Sequence, residues 1–322
     1  MSELFSQPID ASTRYCAVFG HPVRHSASPA MQNSGIAALG LNWRYLAFDV
    51  DPQNLREAIV GAKRMGFVGV NLTVPHKLLA VEMVDVLADS SRTWGAVNTI
   101  RFETRNAGGE WRPLGVPPSG GSPAGARPPE GGTPNLEIRS HGFNTDADAI
   151  TQSLREDLSV ELRGAKVLLL GAGGAGRVAA LKLAADGVRE LHLVNRTESK
   201  AAVVADEIRQ RSPAVKVSVG YPGGEVDLLL NATSLGLKPD DASPLDERRF
   251  SLSQARAVYD LIYRPAETPL LRAAKAAGCR VANGIGMLLY QGAKALEIWS
   301  GKPAPVAVMR RALEQNVYGG VK

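Results

Sequence analysis

The segment KVLLLGAGGAGRVAALKLAADGVRELHLVNRTESK, at residues 166–200, is the most informative part of this chain. An apolar run ends in Gly171, Gly173 and Gly176, and an amphipathic stretch and a second apolar run follow. This pattern predicts a strand, a tight turn, a helix and a second strand. The first glycine permits the turn, the second lets backbone N–H groups approach a pyrophosphate, and the third lets the helix lie close to the sheet. Because a helix N-terminus binds anions, the segment predicts a dinucleotide site.

The end of the second apolar run indicates which dinucleotide binds. An NAD site usually has Asp or Glu there, which accepts a hydrogen bond from the ribose 2′-hydroxyl. This chain has Asn195, Arg196 and Thr197 instead, with Lys200 one turn later. A guanidinium and an ammonium suit a 2′-phosphate, so the sequence predicts NADP. The alternative is a purely structural glycine turn beside a solvated arginine.

Length and composition favour a globular protein of two domains. The chain has 322 residues, 44% of them hydrophobic and 21% charged, with a formal net charge of +5. Its basic residues are scattered without an RNP-like or zinc-ligand pattern, so we expect small anionic ligands rather than nucleic acid. Cys16 and Cys279 lie in separate apolar runs and indicate neither a disulfide framework nor a metal site. Without a signal-like N-terminus or an apolar run of membrane-spanning length, we expect a cytoplasmic protein with no membrane partner.

Upstream of residue 100, strands alternate with helices, which predicts a small α/β domain with a largely parallel sheet. Ligands bind at the carboxyl ends of such strands, where Asn71, Thr73 and Lys77 lie. Ser26 and Ser28, between a strand and a helix, are suited to a carboxylate, although composition alone favours Ser28 as a helix cap. The predicted strands are 15–20, 43–50 and 69–74, and the predicted helices are 30–39, 51–65 and 78–87.

Residues 106–134 interrupt this pattern. Of these 29 residues 15 are Gly or Pro, with almost nothing apolar to bury, so we predict a disordered insertion. Because the entropy of loop closure grows only logarithmically with length, a hairpin tip tolerates such an insertion. We expect residues 136–139 to resume the partner strand.

Downstream, a helix at 147–158 leads into the dinucleotide domain. Further strands are predicted at 215–219, 228–231, 257–261 and 280–282, the last three as candidates for a parallel sheet. Helices at 287–299 and 306–315 follow and are expected to pack back onto the first domain.

Taken together and in order, the loops of this chain resemble those of the shikimate dehydrogenase family. The matching segments span nearly the whole chain outside the insertion and are HPVRHSASP, NLTVPHK, GAVNT, NTD, GAGGAG, NRTESK, NATSLG, YDLIYRPAETPLL and NGIGMLLYQGAKALEIW. The resemblance implies a substrate-binding catalytic domain at 1–146, completed by C-terminal helices at 287–322, that faces a Rossmann-type NADP domain at 147–286 across a cleft. It also implies reversible NADPH-dependent reduction of 3-dehydroshikimate to shikimate, in the biosynthesis of chorismate and the aromatic amino acids.

The resemblance further implies roles for individual residues. Lys77 and Asp146 match the catalytic pair, in which the ammonium donates a proton to the developing alkoxide, although such a pair can also be a structural ion pair. The implied substrate-binding residues are Ser26, Ser28, Thr73, Lys77, Asn98, Asp146, Tyr263 and Gln291. The implied cofactor-binding residues are Gly171, Ala172, Gly173, Gly174, Ala175, Gly176, Asn195, Arg196, Thr197, Lys200, Thr233, Ser234, Gly284 and Met287, with Asn231 and Gly286 beside them. The simpler alternatives are a turn residue for Asn98, a helix polar group for Gln291 and helix core for Met287.

Three departures from the family pattern are visible: Ala149 where a glycine is usual, Lys200 where Arg is frequent, and the insertion itself. Two other functions stay open at this point. One is a quinate/shikimate dehydrogenase that also uses NAD, which Arg196 and Lys200 argue against. The other is a catalytically silent NADPH-binding regulator, which the retention of Lys77 and Asp146 argues against. The sequence does not determine the oligomeric state, and a homodimer is one alternative.

Overall fold

The computed structural model describes residues 9–106, 108–116, 137–238 and 240–319, and the chain divides into two compact units. The first unit comprises the described residues of Met1–Thr145 and Gly292–Ala312, and the second comprises those of Asp146–Gln291 and Leu313–Lys322. The sequence places these borders at 146 and 286 and assigns all C-terminal helices to the first domain. In the division of the chain into compact units, both C-terminal borders fall inside helices.

The first unit is built around a mixed sheet. Its elements are β1 (Arg14–Gly20), α1 (Ser28–Ala38), β2 (Trp43–Asp49), α2 (Leu55–Arg64), β3 (Gly69–Leu72), α3 (His76–Leu79), β4 (Val86–Leu87), α4 (Asp89–Trp94), β5 (Thr99–Arg105), β6 (Trp111–Pro113) and β7 (Ile138–Phe143). The described strands form one seven-stranded sheet in the order β2-β1-β3-β5-β7-β4, with β6 paired to β5. β1, β2 and β3 are parallel, whereas β5 runs antiparallel to β3, β6 and β7.

One face of this sheet is covered by α2. Leu55, Ile59 and Ala62 recur at helical spacing, are buried, and pack with Phe19 and Leu72 in one apolar cluster. Burying each large side chain stabilises the fold by about 1.5–3 kcal/mol. This packing fixes β1 and β3, the strands that lead into the polar loops of the unit.

The predicted disorder of 106–134 is wrong for the described part of that segment. Trp111–Pro113 forms β6, and the Arg139 guanidinium carbon lies 4.2 Å from the centre of the Trp111 ring. Leu114 packs against the core, and a Cβ at Gly115 would lie 2.4 Å from the carbonyl oxygen of Trp299. The composition did not reveal that Trp111 and Leu114 are half-buried and that Gly115 is buried. The rest of the predicted insertion, residues 107 and 117–134, lies outside the described residues.

The single helix predicted at 78–87 is also wrong. The segment begins in α3, continues as a 3-10 turn at Ala80–Glu82 and ends in β4. β4 pairs in parallel with β7, and the Asp85 carboxylate accepts hydrogen bonds from the backbone N–H (2.7 Å) and hydroxyl (2.8 Å) of Ser140. These tertiary contacts outweigh the local helix propensity.

The second unit contains a doubly wound parallel sheet. Its elements are α5 (Asp146–Leu158), β8 (Lys166–Leu170), α6 (Gly174–Ala185), β9 (Glu190–Val194), α7 (Glu198–Arg211), β10 (Lys216–Val219), β11 (Leu228–Asn231), β12 (Ala257–Asp260), α8 (Pro269–Ala276) and β13 (Arg280–Asn283), followed by α9 (Ile285–Ser300) and α10 (Val306–Tyr318), which contain the C-terminal borders between the units. The strand order is β10-β9-β8-β11-β12-β13, and these neighbouring strands pair in parallel. The order reverses between β8 and β11, which is where ligands bind in such sheets.

Candidate active site

The glycine turn between β8 and α6 is open on one side. Gly171 has φ +102°, and a Cβ there would lie 2.9 Å from the Ala232 carbonyl. A Cβ at Gly176 would lie 2.1 Å from the Gly171 oxygen, so α6 can approach β8 only without a side chain. At Gly173 and Gly174, by contrast, no heavy atom lies within 4 Å of the Cβ position. The turn therefore fits a pyrophosphate placed against the N-terminus of α6.

Two cations lie at the end of β9. The Asn195 carboxamide accepts a hydrogen bond from Ala172 N (3.0 Å) and donates one to Thr197 O (2.7 Å), so this side chain braces the turn. Arg196 and Lys200 are exposed, and among the described residues neither side chain has a hydrogen bond or ion pair. They fit a 2′-phosphate. Ala175, on the open side of the glycine turn, is exposed.

A buried carboxylate follows β12. Asp260 has no exposed surface and accepts hydrogen bonds from Asn231 Nδ2 (2.9 Å), Ile262 N (3.1 Å) and Thr268 Oγ1 (2.7 Å). The Asn231 Oδ1 in turn accepts from the backbone N–H (3.0 Å) and hydroxyl (2.8 Å) of Thr233. Burial raises the pKa of Asp260, against the effect of these donors. We call Asp260, Asn231, Thr233 and Thr268 the carboxylate network. Sequence reasoning assigned no role to Asp260 or Thr268, although a polar residue at the end of a parallel strand was a usable signal.

The glycines before and within α9 have a packing explanation. A Cβ at Gly284 would lie 2.0 Å from the Leu261 oxygen, and one at Gly286 would lie 2.0 Å from Asp157 Oδ2. The helix therefore begins close to the backbone of its own unit. Met287 is half-buried in the first turn. Their predicted place beside the nicotinamide stays a prediction.

The other predicted residues of the second unit lie at four separate positions. Asp146 is buried in the first turn of α5, where the helix dipole favours a carboxylate. Ser234 is exposed after β11, and Tyr263 is half-buried after β12. Gln291 is half-buried on α9, and its amide donates to Leu288 O at 2.8 Å.

In the first unit, a buried chain of hydrogen bonds joins β2, the end of β3, the start of β5 and the segment after β7. The Tyr45 hydroxyl donates to Asn71 Oδ1 (2.8 Å), and Asn71 Nδ2 donates to Thr99 Oγ1 (3.0 Å). Asn98 Nδ2 donates to Thr145 Oγ1 (2.9 Å), while its Oδ1 accepts from Thr145 N (2.8 Å). Thr99 connects the two halves through a hydrogen bond to Asn98 Oδ1 (3.3 Å). We call these five residues the amide network. It fixes the chain up to the residue before Asp146.

Ser28 is not a helix cap. α1 begins at Ser28, Ala27 occupies the N-cap position, and no side chain caps the helix. Ser26 Oγ instead accepts from Ser28 N at 3.3 Å, and the Ser28 side chain lies close enough to the Tyr45 hydroxyl to lower the pKa of that phenol, against the effect of burial. The structure therefore brings Ser26 and Ser28 to the amide network. Tyr45, Thr99 and Thr145 are members of that network that the sequence did not single out.

Thr73 and Lys77 lie beside the same network. Thr73 N donates to Phe19 O (2.9 Å) after β3, and a Cβ at Gly20 would lie 2.3 Å from Thr73 Cγ2. Lys77 is half-buried on α3, where its carbonyl accepts from Val97 N (2.8 Å), one residue before Asn98. Ser26, Ser28, Thr73, Lys77 and Asn98 thus all belong to the first unit, in the segments around the amide network.

The described residues contain neither a metal-binding cluster nor a membrane-spanning helix. In the described ranges no group of three or more His, Cys, Asp or Glu side chains could hold a metal ion. None of the described helices is both long enough and apolar enough to cross a bilayer.

Comparison with known proteins gives matches along most of the chain. Family models match at 18–100 (shikimate dehydrogenase substrate binding domain), 153–233 (shikimate/quinate 5-dehydrogenase) and 284–314 (shikimate 5′-dehydrogenase C-terminal domain). A shikimate dehydrogenase (NADP(+)) of Methanopyrus kandleri is 38% identical over 319 residues, which cover 97% of this chain and 99% of that protein.

Solved structures agree with these matches. A shikimate dehydrogenase crystallised with NADP+ is 34% identical with a TM-score of 0.77, covering 96% of this chain and 98% of its own. The shikimate 5-dehydrogenase of Thermus thermophilus, solved with NADP(H) and shikimate, is 33% identical with a TM-score of 0.74. The match covers 94% of this chain and 99% of that protein's chain.

Proposed function

The chain belongs to the shikimate dehydrogenase family, and from this membership we propose that it catalyses the reversible NADPH-dependent reduction of 3-dehydroshikimate to shikimate. It is accordingly an NADP-dependent oxidoreductase that acts on a ring CH–OH group. The observation that carries the proposal is that the similarity runs through both units. The polar residues at the strand ends of the first unit and the glycine turn of the second unit therefore both lie in segments that match this family.

The second unit supplies the groups that would hold the cofactor. The amides at the start of α6 would bind the pyrophosphate, for which Gly173 and Gly174 leave room. Arg196 and Lys200 would bind the 2′-phosphate, the first through a planar fork and the second as a point charge. When bound, NADPH supplies the hydride that the ketone carbon receives.

In the first unit, Lys77 is the proposed proton donor. As hydride reaches the carbonyl carbon, negative charge develops on the oxygen, and the Lys77 ammonium donates a proton there. In the oxidation direction the neutral amine accepts the same proton. Asp146 is proposed as the carboxylate that works with Lys77.

Substrate recognition is proposed to depend on fixed polar groups. Ser26, Ser28 and Tyr263 would bind the carboxylate, and Thr73, Asn98 and Gln291 the ring hydroxyls. The amide network supports this role because it sets the rotamer of Asn98 in advance. Buried groups that are held in this way reject an analogue that leaves them unpaired.

The test is oxidation of shikimate, followed by the absorbance of the NADPH formed. We expect turnover with shikimate and NADP, and much slower turnover with NAD or with quinate. Comparable rates with NAD or quinate would keep the reaction class but assign the protein to the broader quinate/shikimate group. Tight NADPH binding without any turnover would favour the regulator instead.

We also propose a cytoplasmic location. Cys16 and Cys279 are both free and buried, which fits a compartment that keeps thiols reduced. Fractionation of the cells that express the native protein would test this proposal.

A further inference from the structure

Asp260 is a buried carboxylate that the proposed reaction does not use directly. All three of its hydrogen-bond donors come from different segments: Asn231 at the end of β11, Ile262 after β12, and Thr268 before α8. Two of these segments continue into loops with predicted ligand contacts. We call residues 231–236 the cofactor loop and residues 261–265 the tyrosine loop.

The contact with Asn231 reaches the cofactor loop through two further steps. Asn231 Oδ1 accepts both the backbone N–H and the hydroxyl of Thr233, and Thr233 Oγ1 then accepts from Leu235 N at 3.1 Å. The hydroxyl hydrogen of Thr233 is therefore used inside the loop, where it sets the loop conformation. Gly236, at the end of the loop, packs against Thr268 of the carboxylate network, because its Cβ position is 3.5 Å from Thr268 Cβ.

The contact with Ile262 reaches the tyrosine loop directly. Asp260 Oδ1 accepts the Ile262 N–H, and Tyr263 is the next residue. The Ile262 carbonyl in turn accepts from Gly284 N at 3.1 Å, immediately before α9. One carboxylate oxygen thus fixes the backbone that precedes Tyr263 and, through it, the start of α9.

We propose that Asp260 is a positioning residue that holds the cofactor loop and the tyrosine loop in the conformations required for NADPH and substrate. It acts through Asn231 and Thr233 on the cofactor, and through the Ile262 N–H on Tyr263. We call the contacts through Ile262 to Tyr263 the substrate branch and those through Asn231 and Thr233 the cofactor branch. Only the substrate branch rests on the proposed function. The cofactor branch depends on NADPH binding alone.

The two branches can be separated by two variants. Asp260→Ala removes both, so we expect NADPH to bind about tenfold more weakly, the loss of roughly one net hydrogen bond, and the KM for shikimate to rise several-fold. Asn231→Ser removes only the cofactor branch and should weaken NADPH binding to about the same extent while the shikimate KM stays unchanged. NADPH affinity is measured by fluorescence titration without substrate. Asp260→Asn, which keeps an acceptor for Asn231 and Ile262, should recover most of the affinity.

The control is Val258→Ala, on the same strand and buried in the same unit. It should lower the thermal midpoint by removing core contacts but leave NADPH affinity and shikimate KM unchanged. Wild-type NADPH affinity in Asn231→Ser, or an equal loss of affinity in Val258→Ala, would overturn the proposal. If Asp260→Ala does not fold, Asn231→Ser carries the test. A wild-type protein that binds NADPH but does not oxidise shikimate would remove the proposed function and leave the cofactor branch testable.

Discussion

The two units bury polar networks of different charge beneath the loops that the proposed function uses. The amide network of the first unit consists of two carboxamides, two threonine hydroxyls and a phenol. Burial raises the pKa of the Tyr45 phenol well above its ordinary value, so every member stays neutral. The carboxylate network of the second unit instead has Asp260 at its centre.

This difference indicates what each network contributes. Buried neutral groups that are fully hydrogen-bonded cost little, so the amide network can add to stability while it orients Asn98. Burial raises the pKa of Asp260, which means that the ionised form is disfavoured in the folded chain. Ionising Asp260 therefore costs folding stability rather than adding to it, and the role of this residue is better explained by the loops that it positions.

The largest effect is expected at Lys77, the proposed proton donor of the first unit. Lys77→Ala should reduce kcat by about 10²–10⁴-fold because the alkoxide loses its proton donor. NADPH affinity, which the second unit determines, should stay at the wild-type value. Steady-state rates and a fluorescence titration separate the two quantities. Lys63→Ala, on α2 and paired with Asp85 at 3.0 Å, is the control, and unchanged turnover in Lys77→Ala would remove the role of Lys77.

A carboxylate placed in the amide network should be disfavoured by burial in its ionised form, as Asp260 is in the carboxylate network. In Asn71→Asp, the new carboxylate faces the Asn98 carbonyl, to which Asn71 Nδ2 donates at 3.2 Å in the wild type. The Tyr45 hydroxyl can still donate to one of its oxygens, but the other oxygen faces an acceptor, so ionisation at neutral pH should lower the free energy of unfolding by about 3 kcal/mol. Its folded-state pKa is then above the unfolded value, so the deficit is full above the folded pKa and disappears as pH falls below the unfolded pKa.

Thermal midpoints between mildly acidic and neutral pH measure this deficit. Asn54→Asp is a matched control, because Asn54 is exposed at the N-cap of α2, where a carboxylate is neutral or slightly favourable. A deficit in Asn71→Asp that did not change with pH would show that shape, and not charge, controls this position.

An intermediate effect is expected at the basic strand end of the second unit. Arg196→Ala should raise the KM for NADP by about tenfold, since a charged hydrogen bond to phosphate is lost, and leave the KM for NAD unchanged. Lys200→Ala should do the same to a smaller extent because an ammonium offers no planar fork. Arg209→Ala, at the far end of α7, is the control. An equal loss with NAD would mean that Arg196 does not contact the 2′-phosphate.

The sequence predicted the features that depend on local backbone. The glycine turn could be predicted because both of its requirements lie within one short segment of sequence. Gly171 has a positive φ, and a side chain at Gly176 would collide with the backbone. The basic pair after β9 was readable because it directly follows a predicted strand. The boundaries of β11, residues 228–231, were predicted correctly for the same reason.

The networks were not predictable, because each depends on strand register. Asn71 is paired with Thr99 across β3 and β5, and Asn231 with Asp260 across β11 and β12, although 28 and 29 residues separate them. No local pattern reveals which residues face each other across neighbouring strands. The same limit explains the error at β6, where contacts with distant Arg139 and Trp299 order a segment of unfavourable composition.

The last comparison concerns single hydrogen-bond donors in the two networks. Tyr45→Phe removes a neutral hydrogen bond to Asn71 and should lower the free energy of unfolding by about 1 kcal/mol. Thr268→Val removes a donor from a carboxylate and the cap of α8, so its loss should be larger, about 2–3 kcal/mol. Urea unfolding of both variants measures the difference, with Tyr15→Phe, at a more exposed tyrosine, as the control. Equal losses in the free energy of unfolding would mean that the hydrogen bonds to Asp260 are no stronger than neutral ones. The two networks would then differ only in their position in the fold.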